Sequence, residues 1–153
     1  MKLIMESFKR FLAENVSYSG IVIDENSVNT LISAAQEFGI PEGFIHQTNA
    51  GGTLPHHMTI KMGPLWSKKQ KKDMSPHYEV GEPIVMTVTH IGVDENAMAA
   101  RVDLPEGRPT KNKIPHITIA IPEGGKPFLS NKIPEGNWIQ ISPFEITGIV
   151  QEI

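Results

Sequence analysis

Pro55-His56-His57-Met58-Thr59-Ile60-Lys61-Met62 and Pro115-His116-Ile117-Thr118-Ile119-Ala120-Ile121 share one pattern: His, apolar, Thr, apolar. On a β-strand successive side chains point to opposite faces, so His57 and Thr59 share one face, as do His116 and Thr118. Met58, Ile60, Ile117 and Ile119 then point the other way. Each stretch reads as a strand with a polar, reactive face backed by a core face. With six His in the chain, composition predicts roughly 0.1 matches to such a pattern, so its duplication is not an accident.

The pair has a chemical meaning that neither copy has alone. Two imidazoles across a cleft can serve as general base and general acid near neutral pH, because the ordinary His pKa lies near 6.5. Two Thr hydroxyls beside them can donate hydrogen bonds to the non-bridging oxygens of a phosphate. The spacing leaves open which His is base and which is acid.

These residues resemble the 2H phosphoesterase superfamily, whose hallmark is a pair of His-x-Thr/Ser motifs. Tyr18-Ser19-Gly20-Ile21-Val22-Ile23-Asp24, a helical stretch, and His56-His57-Met58-Thr59-Ile60-Lys61-Met62-Gly63-Pro64-Leu65 are similar to its RNA-ligase-associated, RNA-repair-like branch. Length and motif arrangement also resemble the phage anti-CBASS nucleases, which cleave cyclic oligonucleotide immune messengers. The resemblance covers most of residues 18–150. It implies a metal-independent phosphodiesterase with His57, Thr59, His116 and Thr118 as the catalytic set. The expected substrate is a 3′,5′-linked cyclic di- or trinucleotide, cleaved through attack by a ribose 2′ hydroxyl. The enzyme alternative is a 2′,3′-cyclic phosphodiesterase acting on RNA ends in repair. A non-catalytic protein that sequesters cyclic nucleotides is the third reading, but binding alone does not require two titratable imidazoles.

Bulk properties agree with a small anionic ligand. A chain of 153 residues suits one domain with a real core. The net charge of −3 argues against an electrostatic grip on duplex DNA. Cysteine is absent, which excludes disulfides and thiol chemistry and fits a reducing compartment. No run approaches the roughly 20 apolar residues of a membrane span. Lys2, Glu6, Lys9 and Arg10 interrupt the N-terminal apolar residues, so that segment does not read as a signal peptide. The sequence therefore predicts a cytoplasmic protein.

Along the chain, Ile4, Phe8, Phe11 and Leu12 predict an amphipathic helix within residues 1–15, outside a core spanning 18–150. Tyr18–Asp24 reads as a buried strand. Asp24 or Asn26 can cap a helix running to Phe38, which Gly39 and Pro41 stop. Phe44–Gln47 reads as a short strand, and Ala50-Gly51-Gly52 as a turn before the first motif strand. Ser67-Lys68-Lys69-Gln70-Lys71-Lys72-Asp73 has no apolar pattern and reads as a cationic loop, either solvated or drawn over a polyanion. Residues 84–104 read as a hairpin turning at Asp94-Glu95-Asn96. Phe128–Pro134 reads as irregular or a short helical turn, and Trp138–Ile141 and Phe144–Val150 as two closing strands. The fold class is α+β: two pseudo-symmetric lobes of mainly antiparallel sheet, backed by few helices, with one motif from each lobe facing a central cleft.

Further binding candidates surround the motifs. Tyr18 stands before the strand that the resemblance places beside the cleft, where an aromatic ring can stack a base. Trp66 and Trp138 are candidates for the same role. Glu145, on the last strand, can accept from a base's Watson–Crick edge. Lys111 and Lys113 precede the second motif and can reach phosphate. No metal or cofactor is expected: His56 and His57 diverge on a strand, and His46, His77 and His90 lack metal-ligand spacing. Neither a nucleophile elbow nor a phosphate-cradling Gly-rich loop is present.

Overall fold

The computed structural model describes residues 16–46 and 57–153. The expected N-terminal helix, the Ala50-Gly51-Gly52 turn and His56 lie outside the described residues. The described chain runs β1 (Tyr18–Ile23), α1 (Glu25–Phe38), β2 (Phe44–His46), β3 (His57–Met62), β4 (Pro83–Val93), β5 (Met98–Asp103), β6 (His116–Pro122) and β7 (Trp138–Glu152). Short 3₁₀ turns occupy Gln70–Lys72, Pro105–Gly107, Pro127–Lys132 and Glu135–Asn137.

Alternating apolar residues drive these strands into one antiparallel sheet. Its order is β2-β6-β3-β1-β7-β4-β5, and β5 pairs back onto β6. Strands β6, β3, β1, β7, β4 and β5 thus close a six-stranded barrel, with β2 alongside β6. Closure leaves these strands without the unpaired edges that invite aggregation. The barrel is packed with side chains, among them the fully buried Ile21, Met58, Ile60, Met86, Ile117 and Ile119. Burying each such side chain contributes about 1.5–3 kcal/mol. Since Met58, Ile60, Ile117 and Ile119 point inward, strand alternation turns His57, Thr59, His116 and Thr118 to the outer face.

Helix α1 starts where Asp24 accepts a hydrogen bond from the Ser27 amide at 2.7 Å, so Asp24 rather than Asn26 is the cap. It ends at Gly39, whose φ of 108° favours glycine. Its buried face presents Leu31 and Ala35, and the Ser27 hydroxyl accepts from the Thr147 amide on β7. The helix touches both β7 and β6, which lie on opposite sides of the barrel, so it covers one end.

Two close approaches fix strand positions. A Cβ on Gly20 would lie 2.8 Å from the Met58 carbonyl oxygen, and one on Gly92 would lie 2.5 Å from the Trp138 ring. Only glycine lets β1 approach β3 so closely, or lets Trp138 lie flat on β4.

The mainly antiparallel α+β class and the single early helix agree with the sequence. Two local expectations change. The two closing strands are one continuous β7, because β4 pairs along its whole length: Val88 opposes Phe144 and His90 opposes Gln140, leaving Ile141–Pro143 as a bulge. Pro143, which has no N–H to donate, sits in that bulge. The Lys-rich loop contains a 3₁₀ turn. The 3₁₀ turn at Pro127–Lys132 takes the helical-turn alternative that the sequence offered there.

Candidate active site

The two motif strands are hydrogen-bonded neighbours. β3 and β6 run antiparallel with Met58 opposite Ile117. Continuing that register by one residue sets His57 across from Thr118 and Thr59 across from His116. Each imidazole therefore neighbours the other motif's hydroxyl. All four residues line one cavity of about 420 Å³ on the outer face of the barrel.

The two imidazoles sit in different surroundings. His116 is 8% exposed, and its Nδ1 lies 2.7 Å from the Ile114 carbonyl oxygen. A carbonyl only accepts, so Nδ1 carries the proton and Nε2 is left as the basic atom of a neutral ring. Burial pushes the His116 pKa below the ordinary value, partly opposed by that hydrogen bond. Trp138 flanks it, with ring centroids 6.5 Å apart. His57 is half-buried and stacks on the Tyr18 ring at 4.8 Å between centroids, with 29° between planes.

The hydroxyls are also held differently. Thr118 Oγ1 lies 2.8 Å from Ser130 Oγ and donates to the Pro127 carbonyl at 3.4 Å. That second contact is at the outer limit of a hydrogen bond, so the Thr118 proton can redirect to a phosphate oxygen while Ser130 donates to Thr118. Asn112 Nδ2 reaches the Thr59 carbonyl at 3.5 Å, which ties the 108–113 segment to β3.

Three cations stand around this floor. Lys61, which lines the cavity with His57 and Thr59, is 8% exposed and donates from Nζ to the Lys72 carbonyl at 2.8 Å. Lys111 lines the cavity and donates from Nζ to the Lys71 carbonyl. Lys113 lines a second cavity of about 380 Å³, which shares Lys111, Asn112, His116 and Asn131 with the first. Trp138 lies in the wall of that second cavity, its buried indole N–H without a partner among the described residues.

The sequence candidates thus divide. His57, Thr59, His116, Thr118 and Lys111 line one cavity, and Lys113 and Trp138 line its neighbour. Tyr18 is at the site, with its ring stacked against His57. Glu145 is exposed on β7 opposite Thr87 and lines neither cavity. Trp66, half-buried beyond the end of β3, lines neither as well. Sequence reasoning missed Lys61, Asn112, Phe128 and Asn131. Lys61 was legible as the next cation along the first motif strand, two residues after Thr59. Phe128, 55% exposed at the cavity, had no such signal. Among the described residues, no group of three or more His, Asp or Glu is placed to hold a metal ion. No described helix is long and apolar enough to cross a membrane.

Residues 55–152 match the family model of the fungal tRNA ligase phosphodiesterase domain, a 2H phosphoesterase-type family. The match takes in both motifs and every strand from β3 to β7. No curated protein matches the chain.

Proposed function

This chain belongs to the fungal tRNA ligase phosphodiesterase domain family and is a 2H-type phosphodiesterase, and on that basis we propose that it opens 2′,3′-cyclic phosphates at RNA ends without a metal ion. The observation that carries this reading is the convergence of His57, Thr59, His116 and Thr118 on one cavity. The family match moves the reading from cyclic dinucleotides, which the sequence put first, to RNA ends.

In the proposed reaction the Thr59 and Thr118 hydroxyls donate to the non-bridging phosphate oxygens. Water attacks phosphorus and gives its proton to His116 Nε2. The bond from phosphorus to one ribose oxygen breaks, and His57, entering as imidazolium, protonates that oxygen. One water is consumed, and one phosphomonoester and one free ribose hydroxyl appear. Solvent then returns both rings to their starting states. His116 is assigned as base because burial favours its neutral form and the Ile114 carbonyl holds the proton on Nδ1, leaving Nε2 available, which leaves His57 as acid. Phe128, exposed at the cavity, offers a face on which the terminal base can stack. This reading puts the enzyme in the cytosol, with short RNA ends as its substrate.

A substrate panel tests it. Cyclic-phosphate-ended RNA and 3′,5′-cyclic dinucleotides are incubated separately with the protein in EDTA. Rapid opening of the RNA ends with slow or absent dinucleotide cleavage is expected. Cleavage of the dinucleotides alone would reverse the assignment, and binding of either without turnover would favour a sequestering protein.

A further inference from the structure

We propose that Lys61 and Lys111 bind a second phosphate, the one joining the terminal nucleoside to the rest of the RNA, so that the enzyme prefers oligonucleotide ends to mononucleotides. The inference rests on the RNA-end reading above.

Lys61 is an unusual residue to find buried. An ammonium almost never sits in a protein interior without a carboxylate partner. Among the described residues the only ion pair joins Arg108 to Glu82, and the described acceptor for Lys61 Nζ is one backbone carbonyl, that of Lys72. Asp73 is near enough to favour the charged form, but its Oδ1 is engaged by the Ser67 amide and by the Ser75 amide and hydroxyl. Lys111 brings a second positive charge to the same place, donating to the adjacent carbonyl of Lys71. The two ammonium groups repel: burial and Lys111 both lower the Lys61 pKa.

A bound anion resolves this arrangement. It would compensate both charges and use ammonium donors that the two carbonyls leave over. The position relative to the reaction centre is fixed by the cavity they share. Thr59 and Lys61 flank a β-bulge in β3, where Ser19 pairs with Lys61 and Gly20 with Thr59, and both residues and Lys111 line the cavity that holds His57 and His116. A phosphate at the lysine pair thus occupies the same cavity as the phosphate at the Thr pair. The 3₁₀ turn Gln70–Lys72 supplies the carbonyls that hold the lysines in readiness.

The test compares three substrates with the wild-type protein at low salt: a ribodinucleotide ending in a 2′,3′-cyclic phosphate, the same compound with a neutral methylphosphonate linkage, and a nucleoside 2′,3′-cyclic monophosphate. The charged dinucleotide should exceed the other two in kcat/KM by about ten- to a hundredfold, the range of charge-assisted hydrogen bonds. The preference should shrink in Lys61→Met and in Lys111→Ala, and fall further as salt rises. Equal kcat/KM on all three compounds would overturn the inference and leave RNA-end opening standing. A charge preference that survives both substitutions would overturn the assignment to these lysines. Turnover of none of the three would overturn the proposed function and the inference with it.

Discussion

Met58 and Ile117 sit directly opposite each other in the antiparallel β3–β6 pair, and both are fully buried. This contact inside the barrel locks the register that brings the two His-x-Thr motifs face to face outside it. A slip of one residue would turn every motif side chain to the wrong face.

Removing either imidazole should remove a proton-transfer group. His57→Ala and His116→Asn are each expected to lower turnover by about 10²–10⁴-fold. Far-ultraviolet circular dichroism should stay native, since neither residue lies in the barrel interior. A folded variant at wild-type rate would take that His out of the mechanism.

The base should titrate low. Burial lowers the His116 pKa, so the acidic limb of kcat/KM should fall below the ordinary His value near 6.5. The same shift acts on folding. A depressed folded-state pKa means that the unfolded chain binds more protons, so this contribution to stability is present above pH ~6.5 and is lost as pH falls through the folded value. Resonance titration of the imidazole C–H signals, with His116→Asn for assignment, checks both. A His116 midpoint above the ordinary value would contradict the base assignment.

Tyr18 should act through its ring and not its hydroxyl. Stacking on His57 at 4.8 Å needs only the aromatic face, and such pairs are worth about 0.5–1.5 kcal/mol. Tyr18→Phe is expected to keep near-wild-type kcat, whereas Tyr18→Leu should lose several-fold and alter the pH profile. Identical losses in both variants would point to the hydroxyl.

Gly20 should be intolerant of even a methyl group. Its added Cβ would lie 2.8 Å from the Met58 carbonyl oxygen, and backbone cannot yield as a side-chain tip does. Gly20→Ala is expected to cost about 1–3 kcal/mol in chemical denaturation and to lower activity, because β3 carries His57 and Thr59. Unchanged stability and rate would mean that the two strands separate easily there.

Much of this was legible because strand alternation is a strong local signal. The 57/59 and 116/118 pairs predicted both the inward core residues and the outward-facing His and Thr. The α1 boundaries followed from Asp24, Gly39 and Pro41. What escaped depends on long-range pairing. That β7 is one strand follows from the length of β4 opposite it, which no local pattern reports. Tyr18 was placed near the cleft, but its stacking on His57 depends on how closely β1 approaches β3 past Gly20. Glu145 was chosen for its place on the last strand, and the register turned it out to solvent opposite Thr87. Phe128 and Asn131 enter the site on a 3₁₀ turn anchored by the Ser130–Thr118 contact, and Ser130 carries no sequence signal of that partner.

The most direct measurement is phosphorus NMR of a ribo-oligonucleotide bearing a terminal 2′,3′-cyclic phosphate, mixed with the protein in EDTA. The account predicts that the cyclic phosphate resonance is replaced by that of a phosphomonoester. It further predicts that the conversion is suppressed in both His57→Ala and His116→Asn. A cyclic resonance that persists under these conditions, or that disappears only when a divalent ion is added, would contradict it.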